Sequence, residues 1–185
     1  LTKKQRAEIE RIKEQARLAQ QIEQNKAAKR AQTMWERSVK CDIHPYLEAK
    51  GVSSHGLKQQ DNTLVIPLYN INGVVQTLQL IDAENKKKFM PGGKVKGGYF
   101  PIGIDLLAEA TVINYAEGYA TGASYYADHQ QPVIVAFTAI NLAPVAEAIF
   151  ALYPKAKHVF IADFDESRTG EQKAIAAAQV IKKAG

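Results

Sequence analysis

Apolar strand-like segments alternate with helical segments from Thr111 onward, and this alternation is the feature that most constrains the fold. Three short apolar runs predict strands at residues 111–116, 132–138 and 158–162. Helical segments follow them at residues 121–129, 141–152 and 169–184. Such alternation is typical of crossover units, whose parallel strands lie in a sheet that is covered on both faces. We therefore predict an α/β unit with a mostly parallel sheet and flanking helices over residues 105–185.

The N-terminal segment has a different composition. Residues 2–40 contain no glycine or proline and are rich in Lys, Arg, Glu, Gln and Ala, which favour helix. A thin apolar stripe lies at helical spacing: Ile9, Ile12, Ala16, Ala19 and Ile22. We predict a helical leader or linker over residues 1–43, as one long helix or a helix pair, with Trp35 anchoring it. A solvated leader is favoured over an arm that docks a partner.

Residues 44–104 are predicted to form a small α+β subdomain. A short helix that begins near His44 is expected to end at Gly51, since glycine readily adopts the left-handed conformation of a helix end. Apolar runs at 64–69 and 74–81 flank an Asn-Gly turn, which predicts a β-hairpin. Residues 86–99 are then predicted to form a basic, glycine-rich loop or a second hairpin.

The basic loop is a candidate nucleic-acid or nucleotide contact. Lysines supply charge for phosphates, and glycines allow close backbone approach. The candidates are Lys86, Lys88, Lys94 and Lys96, and strand alternation would place the last two on one face. The alternative is a solvated hairpin. Phe89, Tyr99 and Phe100 are able to stack bases, but a core position is favoured for Phe89 and Phe100.

Three acidic residues follow two of the predicted parallel strands. Glu117 comes directly after the first strand, and Asp163 and Asp165 come directly after the third. The carboxyl ends of parallel strands open onto one crevice, so these carboxylates are expected to lie close together. Clustered carboxylates favour a hard cation, Mg²⁺ or Mn²⁺, and such a site suits phosphoryl transfer. Glu117 has an alternative role as a general acid or base.

Other polar residues flank this crevice. Arg168 and Lys173 are candidates for contacts with nucleotide phosphates, and surface charge is the alternative for both. Asn141 is expected to cap the second helix of the α/β unit, or to face the crevice.

Bulk properties agree with a globular protein that handles polyphosphates. The net charge of +5 is a weak indication of nucleic-acid binding. The single cysteine, Cys41, excludes an internal disulfide framework, and no apolar run is long enough for a membrane span. We expect a cytoplasmic location. Because the sequence starts without Met and stops at a helix end, we suspect a fragment whose last domain is truncated.

Several stretches resemble the Toprim region of plasmid and phage primases, which belong to the bacterial-type primases. They are Glu117-Gly118-Tyr119-Ala120-Thr121, Ala162-Asp163-Phe164-Asp165, Asn141-Leu142-Ala143, Val65-Ile66-Pro67-Leu68, Gln79-Leu80-Ile81 and His44-Pro45-Tyr46-Leu47 with Lys50-Gly51. The resemblance covers about residues 35–185. It implies a Toprim fold in which Glu117, Asp163 and Asp165 are the metal-binding and catalytic acids. Phe164 departs from the group, which often has a polar residue there.

The resemblance further implies a DNA primase, an enzyme that synthesises RNA primers on a single-stranded DNA template. Ribonucleoside triphosphates are the implied substrates, Mg²⁺ or Mn²⁺ the implied cofactor, and a replicative helicase or other replication protein an implied partner. Two alternatives stay open. One is a Toprim-type metal-dependent nuclease, and the other is a non-catalytic module that binds single-stranded DNA or a replication partner.

Overall fold

The computed structural model of the chain describes residues 1–161 and 169–184. The first half contains helix α1 (Lys3–Arg37), strand β1 (Val39–Lys40), helix α2 (Pro45–Lys50) and strands β2 (Lys58–Gln60), β3 (Thr63–Tyr69), β4 (Val75–Ile81) and β5 (Lys87–Phe89). The second half contains strand β6 (Phe100–Ile102), a 3-10 helix (Ile104–Glu109), β7 (Val112–Ala116), α3 (Tyr119–His129), β8 (Val133–Val135), α4 (Ala139–Leu152), β9 (Lys157–Ile161) and α5 (Thr169–Ala184).

Helix α1 is one continuous helix, so the alternative of a helix pair is wrong. Thr2 and Gln5 form a capping box at its start, in which each side chain accepts a hydrogen bond from the other residue's backbone N–H. The stripe residues Ile9, Ile12 and Ile22 are all exposed on this helix. None of the helices in the described ranges combines the length and apolar content of a membrane span.

The C-terminal third of α1 packs on the first sheet. Ala27 and Ala31 are fully buried there. Trp35 contacts the same apolar cluster, and its carbonyl accepts a hydrogen bond of 2.9 Å from Lys58 Nζ. The Lys58 ammonium also lies 4.5 Å from the centre of the indole ring, within range of a cation–π interaction. The predicted anchoring by Trp35 is therefore confirmed.

The first sheet is antiparallel, with strand order β1-β2-β3-β4-β5 among the described strands. The predicted hairpin is confirmed as β3 and β4, in which Leu64 pairs with Ile81. Asn70 closes the turn, since its Oδ1 accepts hydrogen bonds from the N–H groups of Asn72 and Val74. Gly73 has φ +73°, as an Asn-Gly turn requires.

The second sheet has the order β6-β8-β7-β9 among the described strands. Strands β8, β7 and β9 are parallel, as predicted, and β6 pairs with β8 in antiparallel orientation. Helix α3 packs on one face, where Ala123 lies in a cluster with Val133 and Val135. Helices α4 and α5 cover the other face. Strand β6 precedes residue 105, where we placed the start of the second unit, and it belongs to this second sheet.

Strand β8 is shorter than the predicted run at 132–138. Phe137 has φ +69°, a left-handed conformation that cannot continue an extended strand. The chain therefore turns directly into α4, and Thr138 caps that helix by accepting a hydrogen bond from the Asn141 N–H at 3.3 Å.

Candidate functional site

Glu117 lies at the carboxyl edge of the second sheet. It follows the last residue of β7, and Gly118 then begins α3 as its N-cap residue without a side-chain cap. Glu117 is half-buried, whereas the neighbouring Ala116 is fully buried. The predicted position of this acid, between a buried parallel strand and a helix N-terminus, is confirmed.

Strand β9 ends beside Glu117. In the parallel pairing of β7 with β9, Ile161 is the partner of Ala116. The chain therefore leaves β9 at the same edge and level at which β7 reaches Glu117. Asp163, Asp165 and Arg168 lie outside the described residues, as does the side chain of Lys173 in α5. Within the described residues alone, no three potential metal-binding side chains are grouped together.

The glycine-rich loop between β5 and β6 is held by two side-chain amides. Gln76 on β4 donates from Nε2 to the carbonyl oxygens of Lys94 at 2.7 Å and Lys96 at 3.3 Å. Asn141 on α4 accepts at Oδ1 from the Gly97 N–H at 2.7 Å. These bonds attach the loop to both sheets, since Gln76 belongs to the first and α4 packs on the second.

Asn141 is not the cap that we predicted. Its backbone N–H donates to the true cap, Thr138, and its side chain binds other backbone groups. Asn141 Nδ2 donates to the carbonyl oxygens of Gly98 and Ala136, both at 2.8 Å. Because the side chain is buried and all its bonds go to backbone groups, Asn141 fixes the loop at the carboxyl edge of the sheet.

Two glycines of the loop allow close packing on β4. A Cβ at Gly93 would overlap the fully buried Thr77, and a Cβ at Gly98 would come within 2.6 Å of Gln76 Nε2. Glycine is required at these two positions because the loop backbone lies close to side chains of β4. We expected a close approach of the loop backbone to phosphate, and the contacts seen at these two glycines are with protein side chains.

The candidate lysines lie on two parts of this region, and all four are exposed. Lys86 and Lys88 belong to the turn before β5 and to β5 itself. Lys94 and Lys96 lie in the loop and not in a strand, so the argument from strand alternation is wrong. They nevertheless flank Val95, which packs partly against the core. The backbone that carries them is held by Gln76.

The aromatic residues of this region serve mainly in packing. Phe100 is buried, and Phe89 packs edge-on against Phe137 at 6.4 Å between ring centres, so the core positions that we favoured are confirmed. Tyr99 is half-buried against the second core cluster, and its backbone pairs with that of Tyr69. This pairing forms a direct backbone link between the glycine-rich loop and β3.

A cleft opens between the loop and the start of α4, with a volume of about 450 Å³. Its walls are Val95, Lys96, Thr138, Ile140, Asn141 and Pro144. Thr138 lies three residues beyond the end of β8, and Glu117 directly follows the adjacent parallel strand β7, so the cleft lies at the carboxyl edge of the sheet. It has the size of a small-ligand site and carries one lysine at its rim.

Curated proteins with similar sequences are DNA primases. Two proteins named DNA primase TraC from Escherichia coli match the chain, one with 33% identity over 149 residues and 74% of the chain, the other with 34% over 126 residues and 66% of the chain. This chain is homologous to part of the TraC DNA primases. The predicted resemblance to plasmid and phage primases is thereby confirmed. The matched region spans only 10% and 12% of the two relatives' lengths, and no family profile matches the chain.

Solved primase structures share the fold. The crystal structure of the primase fragment of the bacteriophage T7 primase-helicase protein has a TM-score of 0.59 and 19% identity, and the match covers 79% of this chain and 64% of that one. The DnaG primase catalytic domain bound to single-stranded DNA has a TM-score of 0.55 and 13% identity, with coverages of 88% and 69%. The fold of the homologous region is therefore that of primase catalytic cores.

Proposed function

We propose that this chain is the catalytic core of a DNA primase, which synthesises RNA primers on single-stranded DNA by metal-dependent nucleotidyl transfer. The observation that supports this most directly is the homology to DNA primase TraC over most of the chain. The fold of primase cores and the position of Glu117 at the carboxyl edge of a parallel sheet agree with it.

The proposed fold is a Toprim fold, and it consists of the second sheet with α3, α4 and α5. In this proposal residues 1–43 are a helical leader, residues 44–104 a small α+β subdomain, and residues 105–185 the Toprim domain. Strand β6 extends the sheet of that domain from the preceding segment.

The proposed acids are Glu117, Asp163 and Asp165. Their carboxylate oxygens form a donor set that suits Mg²⁺ or Mn²⁺. The proposal is supported by the pairing of Ala116 with Ile161, since the ends of β7 and β9 then lie at one edge and the acids follow those ends in the sequence. When bound, such an ion would neutralise charge on a triphosphate and on its leaving group. The position of Glu117 supports this role, since it follows β7, a strand that lies between β8 and β9.

The remaining assigned residues bind the polyanionic substrates. Lys94 and Lys96 are exposed on a loop whose backbone is fixed, so they present charge beside the cleft without a large ordering cost. Lys86, Lys88, Arg168 and Lys173 are proposed to extend this basic surface toward the template or the incoming ribonucleoside triphosphate. A replicative helicase or another replication protein is a proposed partner of the whole protein.

The test is primer synthesis by the purified chain. Single-stranded DNA, labelled ribonucleotides and Mg²⁺ or Mn²⁺ should yield short RNA products, and Glu117→Gln should reduce the rate at least about 100-fold, or ~2.7 kcal/mol. Glu147→Gln is the matched control, since Glu147 is an exposed acid on α4 away from the strand ends. Unchanged synthesis by Glu117→Gln would show that the acid is wrongly assigned. No synthesis by the wild-type chain with either ion would refute primase activity in this chain.

A further inference from the structure

A second groove lies on the other side of the glycine-rich loop, between α1 and the β3–β4 hairpin. Its volume is about 510 Å³. Its walls are Gln21, Gln24, Asn25, Ala28, Lys29 and Gln32 of α1, Asn70, Val74, Val75 and Gln76 of the hairpin, and Lys94 of the loop. Six of these side chains are carboxamides and two are lysines, and no acidic side chain is among the described residues that line the groove.

Hydrogen bonds hold parts of both walls of the groove. Gln32 Nε2 on α1 donates to the Val75 carbonyl at 3.0 Å, which fixes the helix against β4. Asn70 and Gln76 are bound to turn and loop backbone. Three carboxamides are left, on Gln21, Gln24 and Asn25, and within the described part of the chain their side chains make no hydrogen bond to protein.

The electrostatics of this groove favour an anionic ligand. Helix α1 carries ten basic and five acidic residues, so it accounts for the whole net charge of +5 of the chain. Four of its five acids form i,i+3 ion pairs with basic residues of the helix itself. Lys29 and Lys94, in contrast, have no ion-pair partner among the described residues, and both line the groove.

The groove and the cleft at the carboxyl edge share one wall. Lys94 lines the groove and Lys96 lines the cleft, and Gln76 binds the carbonyl oxygens of both. A linear polyanion that extends from the groove across the glycine-rich loop would reach the cleft, which lies at the same edge of the sheet as Glu117. The lining residues of α1 run from Gln21 to Gln32, a rise of about 16 Å at 1.5 Å per residue, and this length suits roughly five stacked nucleotides.

We infer that this groove binds single-stranded nucleic acid, with the lysines on phosphates and the free carboxamides of Gln21, Gln24 and Asn25 on base edges. Carboxamides both donate and accept hydrogen bonds, as the edges of unpaired bases do. The inference rests on the proposed function in one respect, that a single strand is the ligand, and it goes further by naming the strand's path and the residues that contact its bases.

The test compares two doubly substituted chains with the same change of charge. Gln24→Glu with Asn25→Asp places two carboxylates in the groove, whereas Gln15→Glu with Gln20→Glu places them on other faces of α1. Affinity for a fluorescein-labelled 12-nucleotide single-stranded DNA is measured by anisotropy at about 0.2 M salt, where distant charges are screened. Circular dichroism and thermal unfolding confirm that both variants fold.

The groove variant should bind at least about tenfold more weakly than the control variant, the loss expected for a base or phosphate contact. Equal affinities for the two variants would overturn the inference, and so would a wild-type chain that does not bind the oligonucleotide. The result of this binding experiment is independent of the result of the primer-synthesis experiment. A groove that binds DNA in a chain without synthesis would refute only the proposed function, and synthesis with unaltered binding would refute only the groove.

Discussion

Replacement of Asn141 measures how much the fixation of the glycine-rich loop contributes to stability. The wild-type side chain makes three hydrogen bonds to backbone, from the Gly97 N–H and to the carbonyls of Gly98 and Ala136. A hydrogen bond of this kind contributes about 1 kcal/mol net. We therefore expect Asn141→Ala to lower the free energy of unfolding by about 3 kcal/mol, which corresponds to a decrease in Tm of roughly 6–12 °C for a chain of this size.

Asn141→Asp separates the hydrogen bonds from the volume of the side chain. The aspartate keeps an acceptor for the Gly97 N–H, but its second oxygen would face the carbonyls of Gly98 and Ala136, which cannot donate. The variant should therefore be at least as destabilised as Asn141→Ala at neutral pH, although it leaves no cavity. Asn72→Asp, in the exposed turn of the hairpin, is the matched control and should have little effect.

Urea-induced unfolding of the three variants is the assay, with primer synthesis as a second measurement. In Asn141→Ala the Gly97 N–H and the Gly98 carbonyl, which follow Lys96 in the loop, lose their partner at the cleft, so synthesis should decrease at temperatures where the variant is still folded. A change in unfolding free energy below about 0.5 kcal/mol for both Asn141 variants would refute the reasoning. The loop would then be held mainly by other contacts, such as those of Gln76.

Two further outcomes are expected. Gly93→Ala should destabilise the chain by about 1–3 kcal/mol in urea unfolding, because its Cβ would overlap buried Thr77, and Thr77→Ala in the same chain should recover part of the loss. Burial lowers the pKa of His55 below its ordinary value. As the pH drops, His55 is protonated in the unfolded chain before it is protonated in the folded chain. The free energy of unfolding should therefore fall below about pH 6.5, and it should fall less steeply in His55→Gln.

Local sequence patterns predicted most of the elements of this fold. The Asn-Gly turn and the flanking apolar runs predicted the hairpin of β3 and β4. The alternation of strands with helices predicted the parallel orientation of β7, β8 and β9. The sequence did not predict strand β6, because its three residues, Phe-Pro-Ile, are too few to show an alternation of apolar and polar side chains. Its pairing depends on the edge that β8 offers.

The candidate site was predictable in part. Glu117 occupies the strand end that its sequence context indicated, whereas the joint role of Asp163 and Asp165 remains a prediction. The hydrogen bonds of Asn141 with Gly97 and Gly98 join residues 44 and 43 positions apart. No local pattern encodes such a contact, because it depends on how the loop and α4 pack together. From the sequence alone, a single asparagine near the start of a helix is more readily interpreted as an N-cap residue than as a residue that binds a distant loop.

Strand β6 also limits how this chain can be divided by recombination or by proteolysis. A segment that starts at residue 105 would lack β6 and would leave one side of β8 without its backbone partner. The exposed edge would consist of Val133, Ile134 and Val135, all fully buried here, and an unpaired β-branched edge of this kind promotes self-association. A segment of this chain that keeps the second sheet intact therefore has to include Phe100–Ile102, so its boundary falls within the glycine-rich loop or before it.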